Sequence, residues 1–156
     1  QTSDVAKAMI AAMDASPQPM AFDEVYGALQ TGVVDGQENT WSNIYTKKFF
    51  EVQDNTTQTS HQLLAYLFMT SKEFLDSLDA DTRSKFIKIA DDVTIVANKS
   101  VKDQEEANRQ NILKAGGKIN ELNAKQRKQW VDAMKPVWKK FEAEIGADLI
   151  AAAASF

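Results

Sequence analysis

The chain has no cysteine among its 156 residues. That excludes disulfides, zinc–thiolate centres and thiol catalysis. It has one histidine, His61, and a lone histidine cannot build a metal cage by itself. With six glycines and three prolines, long disordered linkers are not expected. No run approaches the ~20 consecutive apolar residues of a membrane helix. Basic residues are not in excess: the formal charge is −4, which argues against a nucleic-acid face. The short group Lys125, Arg127 and Lys128 reads as a solvated helix face rather than a phosphate track. There is no phosphate-binding loop, HExxH pattern or nucleophile–base pair, so catalysis is not indicated; Asp35 and Glu38 are close in sequence but stand alone. The chain opens Gln1-Thr2-Ser3 without a methionine or a leader, as a processed start or an internal piece would.

What is present is a soluble-domain composition, 44% apolar and 26% charged, with helical periodicity dominating. Residues 3–14 read as a helix capped by Ser3 or Asp4, with Val5, Met9, Ile10 and Met13 on one face. Pro17 and Pro19 forbid helix, so 16–21 reads as a short edge-type strand. Asp23 and Glu24 open a helix that stops at Gly32. Residues 33–38 read as a short strand, 41–52 as an amphipathic helix and 55–58 as a polar loop. Residues 59–70 read as a buried strand, although the apolar run 63–69 also fits a helix. Ser71 caps a helix over 72–78.

The longest helix is expected over 81–115, with one apolar stripe through Phe86, Ile89, Val93, Val96, Val101 and Ile112. At 1.5 Å per residue it spans roughly 50 Å, more than the width of a domain this size, so it is expected to kink or to lie across more than one domain. Gly116-Gly117 ends it, and 118–122 reads as a strand. Asn123 and Gln126 form a capping-box pair for a helix carrying Trp130, Met134, Val137, Trp138 and Phe141, with Pro136 inside and Gly146 as its stop. A terminal helix follows over 147–154. The fold class is α/β and helix-rich, and its few short strands make a small or incomplete sheet.

Four segments in order resemble one family: 17–26 (PQPMAFDEVY), 28–39 (ALQTGVVDGQEN), 48–53 (KFFEVQ) and 134–138 (MKPVW). They are similar to the DctP-type solute receptors of TRAP transporters, and the segments 38–44 and 141–150 resemble the C4-dicarboxylate branch. The resemblance implies the C-terminal half of a two-lobed periplasmic-binding-protein-like fold, with 81–115 as the interdomain helix. Residues 1–156 are then one portion, the second lobe with interdomain and C-terminal helices, and the N-terminal portion is expected to be missing. The carboxylate-selecting arginine of the family is expected just before Gln1.

The function so implied is periplasmic capture of a small carboxylate of the succinate, malate or fumarate class, without catalysis, metal or cofactor. The TRAP membrane subunits are the partners. By the resemblance, Asn39 supports the ligand carboxylate, Phe22 packs on the ligand, and Tyr66 donates to a second carboxylate. Trp41 and Asn43 are further candidates for the cleft wall. Each has an ordinary reading as well: Asn39 as a turn residue, Phe22 and Tyr66 as core aromatics, Trp41 as a packed surface tryptophan. Such a portion is expected to bind little dicarboxylate alone, and to self-associate or pair with its N-terminal half. The competing reading is a helical interaction or scaffold module that uses 81–115, which requires Phe86, Val93 and Val101 to be exposed.

Overall fold

The computed structural model describes residues 3–154. Helix α1 spans Asp4–Ala12 and is capped by Ser3, whose Oγ accepts from the Ala6 amide at 3.1 Å. After Phe22–Glu24, a single 3-10 turn, α2 runs Val25–Gln30 and ends at Gly32, where φ is +73°. Helix α3, Trp41–Thr46, is shorter than the 41–52 helix expected. It stops because Lys48 adopts a left-handed φ of 58°, and a 3-10 turn, Phe49–Glu51, follows.

Ser71 caps α4, Lys72–Ser77. Asp79 caps the 35-residue α5, Ala80–Lys114. Asn123 caps α6, Ala124–Ile145, by a complete capping box with Gln126. Pro136 sits inside α6, where it removes one helical hydrogen bond. Helix α7 covers Ala147–Ala154.

The sheet has two parallel strands among the described residues, β1 (Asn55–Gln58) and β2 (Lys118–Glu121), in register Asn55↔Lys118 through Gln58↔Glu121. Helices α4 and α5 lie in the crossover between them. Residues 55–58, expected as a loop, are therefore a strand. Pairing decides this against composition: Arg109 of α5 bonds Gln58 Oε1 at 3.2 Å and Glu121 Oε1 at 2.5 Å, clamping both partners of one register pair.

The strands expected over 16–21, 33–38 and 59–70 do not form. An extended segment becomes a strand only when a neighbour completes its backbone hydrogen bonds, and none of these has such a neighbour among the described residues. The 59–70 segment also departs from the buried state expected of it: Leu67 and Phe68 are 80% and 75% exposed.

The core is small and lies at one end of the long helix. Leu29, Ile44, Phe49 and Ile112 are buried together, with Tyr26, Val34, Trp41 and Ile119 packed around them. Burying a side chain such as Phe49 contributes about 1.5–3 kcal/mol. A second contact joins α1 to α6, where Ala6, Met134, Val137 and Phe141 are buried. The spacing 134, 137, 141 is one helical face, as the sequence implies. The stripe of α5 is divided. Ile112 is core, whereas Val93, Val96 and Val101 are more than half exposed and Phe86 is half-buried against Phe74.

Candidate functional site

A large open cavity of about 1210 Å³ runs between the α1 end of the molecule and the α2–α3–β1 region. Phe22, Asn39, Asn43 and Tyr66, four of the five residues singled out from the sequence, line it. Trp41 does not. Its amide donates to Glu105 Oε2 at 2.8 Å and its side chain packs on the core.

The local sequence explains how each residue is held. Thr40 caps α3 by accepting from the Asn43 amide, which puts Asn39 at the turn just before the helix and Asn43 one turn inside it. Asn39 Oδ1 accepts from Asn43 Nδ2 at 2.5 Å and from the Thr40 amide at 3.2 Å. The carbonyl oxygen of Asn39 is thus committed to the protein, and its Nδ2 group is the end able to donate outward. The Phe22 ring stands edge-on to Phe49 at 5.9 Å, with Lys47 Nζ 5.2 Å from its centroid. Lys47 also pairs with Asp23 at 2.6 Å, and that hydrogen bond, with the lysine charge, lowers the Asp23 pKa. A rigid aromatic face at the cavity wall results. Tyr66 lies on the extended segment 59–70 and is 80% exposed.

Glu38 and His61, set aside in the sequence as a lone carboxylate and a lone histidine, belong to the wall. The two face each other, with His61 Nε2 3.5 Å from Glu38 Oε2. That separation is long for a hydrogen bond, and Nε2 has no hydrogen-bond partner in the protein. His61 Nδ1 is held by Thr59 Oγ1 at 2.6 Å. Gln37 Oε1, buried in the same wall, also has no partner. Buried polar atoms are normally satisfied, so these two are exceptions among the described residues. Trp130 of α6 also lines the cavity. The signals available were a histidine and a glutamate 23 residues apart, too far for any sequence-local pattern to connect.

The electrostatics are one-sided. Among the described lining residues the single permanent cation is Lys7, and it is paired with Asp4 at 2.6 Å. Asp14, Asp35 and Glu38 line the same space. No group of three or more metal-ligating side chains occurs among the described residues. The wall offers neutral amide donors, an aromatic face and a phenol. Among the described lining residues no lysine or arginine is left unpaired to balance an anion.

The chain also matches known proteins in sequence and in fold. The sequence model of the bacterial extracellular solute-binding protein family 7, DctP, matches residues 1–144. The C4-dicarboxylate-binding periplasmic protein DctP of Vibrio cholerae is 56% identical over 153 residues, covering 98% of this chain and 46% of that protein. A crystal structure of a TRAP periplasmic solute-binding protein from Shewanella oneidensis with bound succinate superposes with a TM-score of 0.95 at 42% identity. It covers 99% of this chain and 51% of that one. A TRAP solute-binding protein from a Bradyrhizobium species, in complex with galacturonate, gives 0.83 at 33% identity, covering 97% and 49%. The chain therefore spans about half the length of the relatives it matches, and its helix-rich fold with a small parallel sheet is half of their two-lobed fold.

Proposed function

The chain belongs to bacterial extracellular solute-binding protein family 7, the DctP family, and on that premise we propose that the polypeptide containing it captures a small carboxylate, a C4-dicarboxylate first, in the periplasm. It delivers the ligand to TRAP membrane subunits by reversible binding without chemistry. The observation that supports this reading most is the shared cavity of Phe22, Asn39, Asn43 and Tyr66.

In this reading residues 1–156 are the C-terminal portion, one wall of the cleft, and the facing wall belongs to the other half of the polypeptide. Asn39 Nδ2 and the Tyr66 hydroxyl donate to the ligand's carboxylates, and Phe22 covers its carbon chain. The anion's counter-charge comes from the facing wall, because the one cation here is already paired. A charge-assisted hydrogen bond of this kind contributes about 1.5–3 kcal/mol. Closure of the two walls on the ligand gives the form that the membrane subunits read.

The exposed residues 63–69 and the outer stripe of α5 are covered by that other half. In its absence they favour self-association. A monodisperse monomer in light scattering counts against the latter. The scaffold reading asks for exposed Phe86, Val93 and Val101; Val93 and Val101 are exposed, but Phe86 is half-buried against Phe74. Missing chain accounts for that equally well, and the matches to solute receptors do not favour a scaffold.

Calorimetry with succinate, malate, fumarate and galacturonate is the test. The expected outcome is no measurable binding by the 156-residue chain alone and tight binding by the complete polypeptide, with dicarboxylates preferred over the uronate. Micromolar binding of succinate by this chain alone would refute the two-wall cleft. Preference of the complete polypeptide for the uronate would move the substrate class.

A further inference from the structure

Glu105 lies on the long helix and makes no contact with the cavity, yet it holds the turn that carries the amide pair. Its Oε2 accepts from the Trp41 amide at 2.8 Å and its Oε1 from the Ser42 amide at 3.2 Å. A carboxylate 63 and 64 residues away in sequence thus caps the first turn of α3 from another element. A six-residue helix cannot sustain its first turn by its own hydrogen bonds, so an external cap matters more here than on a long helix. Thr40 satisfies the next amide, Asn43. The amides of Trp41, Ser42 and Asn43 are therefore all occupied, and none is left to meet an anion.

That occupation fixes Asn39. Its Oδ1 takes its bearings from the Thr40 amide and from Asn43 Nδ2, both in the turn that Glu105 holds. Along α5 the spacing 105, 109, 112 is one face. Arg109 bonds β1 and β2, and Ile112 is buried in the core. Glu105 is the first anchor of that face after the exposed stretch that includes Val96 and Val101.

We infer that Glu105 is the positioning residue for Asn39, through which the long helix sets the direction in which the cavity's amide donor points. The inference rests on the solute-receptor reading and deepens it: ligand affinity is coupled to the placement of α5. Glu105 stands outside the cavity wall, and its two oxygens each accept from a backbone amide of α3.

The test uses the complete polypeptide, with Glu105→Ala, Glu105→Gln, Asn39→Ala and the double variant Glu105→Ala/Asn39→Ala, and succinate as the probe. Glu105→Ala is expected to weaken succinate about tenfold, and Glu105→Gln, which keeps one acceptor and the shape, about threefold. In the Asn39→Ala background, loss of Glu105 adds nothing, because its effect passes through Asn39. An equal loss in both backgrounds, or no loss where Asn39→Ala alone weakens binding, overturns the proposal.

A ligand-free readout separates this result from the functional reading. The Asn39 and Asn43 side-chain amide resonances shift in Glu105→Gln, and unchanged resonances overturn the positioning role. Should the unsubstituted polypeptide bind no succinate, the solute reading fails, and those resonances alone decide on Glu105.

Discussion

Residues 25–58 and residues 63–103 both carry aromatic and branched side chains, and they end in opposite states. In the first, Phe49 is 1% exposed, and Leu29 and Ile44 are buried with it. In the second, Leu63, Leu67, Phe68, Val93 and Val96 face outward. The difference is one of partners. Residues 25–58 meet the last third of α5 and strand β2. Within residues 63–103 the contacts are mostly among themselves, the rings of Phe86 with Phe68 and Phe74 and Arg83 with Leu75 and Asp76, while Leu64 and Tyr66 border the cavity. Apolar content alone does not bury a segment; a second surface does.

The sharpest way to break this comparison is a pair of truncations. Phe49→Ala should cost about 3–5 kcal/mol in urea unfolding of this chain. Leu67→Ala should change it by less than about 0.5 kcal/mol. Comparable losses for the two would erase the contrast. Next in size is Gly117, at the join between α5 and β2. A Cβ there would lie 2.6 Å from Ile112 Cγ2 and 3.1 Å from the Ile112 carbonyl oxygen. Gly117→Ala is expected to destabilise by about 1–3 kcal/mol, because the obstruction includes backbone of the core helix. A neutral result would mean the packed region is looser than its contacts imply.

The same contrast explains what was legible in the sequence. A helix satisfies its own backbone, so α1, α4, α5 and α6 follow from capping residues and periodicity even where α5 has no neighbour. The first part of α5 stands in solvent, supported by i,i+4 ion pairs such as Lys85–Asp81 and Lys88–Asp92. A strand needs another strand, so residues 16–21, 33–38 and 59–70, apolar enough to suggest sheet, stay irregular where no partner lies beside them. Polar residues 55–58 become a strand because β2 and Arg109 are there.

Phe22, Asn39 and Tyr66, singled out through the resemblance, and Asn43, named as a further candidate, line one cavity, whereas Trp41 does not. The candidate site was not legible where residues distant in sequence meet. The Glu38–His61 contact and the Glu105 cap exist only in three dimensions.

Smaller effects sharpen the helix side. Asn123→Ala removes both capping-box bonds of α6 and should cost about 1 kcal/mol by thermal or urea unfolding. A cost as large as that of Phe49→Ala would mean caps, not core, dominate stability. Four exposed carboxylates, Asp4, Asp23, Asp79 and Asp132, are held below their ordinary pKa and contribute to the acid limb. Asp132 is lowered from 3.8 to about 2 by hydrogen bonds from Lys128 and Lys135 and by their charges. Asp79 is lowered by the Thr82 amide and hydroxyl that it accepts from as the α5 cap.

A depressed carboxylate stabilises the folded chain above its unfolded pKa, and that contribution is lost as pH falls through the folded value. Helical circular dichroism should therefore hold from neutral pH down to about 5 and decline between about 4 and 2. A carbon-detected NMR titration should find Asp132 half-protonated near the value of about 2. Titration of Asp132 at an ordinary carboxylate pKa would remove this part of the account.

The central claim is that residues 63–69 and the outer stripe of α5 belong to an interface with chain beyond these 156 residues. Amide hydrogen exchange across 63–69, measured in this chain and in the complete polypeptide, tests it most directly. Fast exchange in the first and strong protection in the second is the predicted result. Equal exchange of those amides in both, fast or slow, would contradict it.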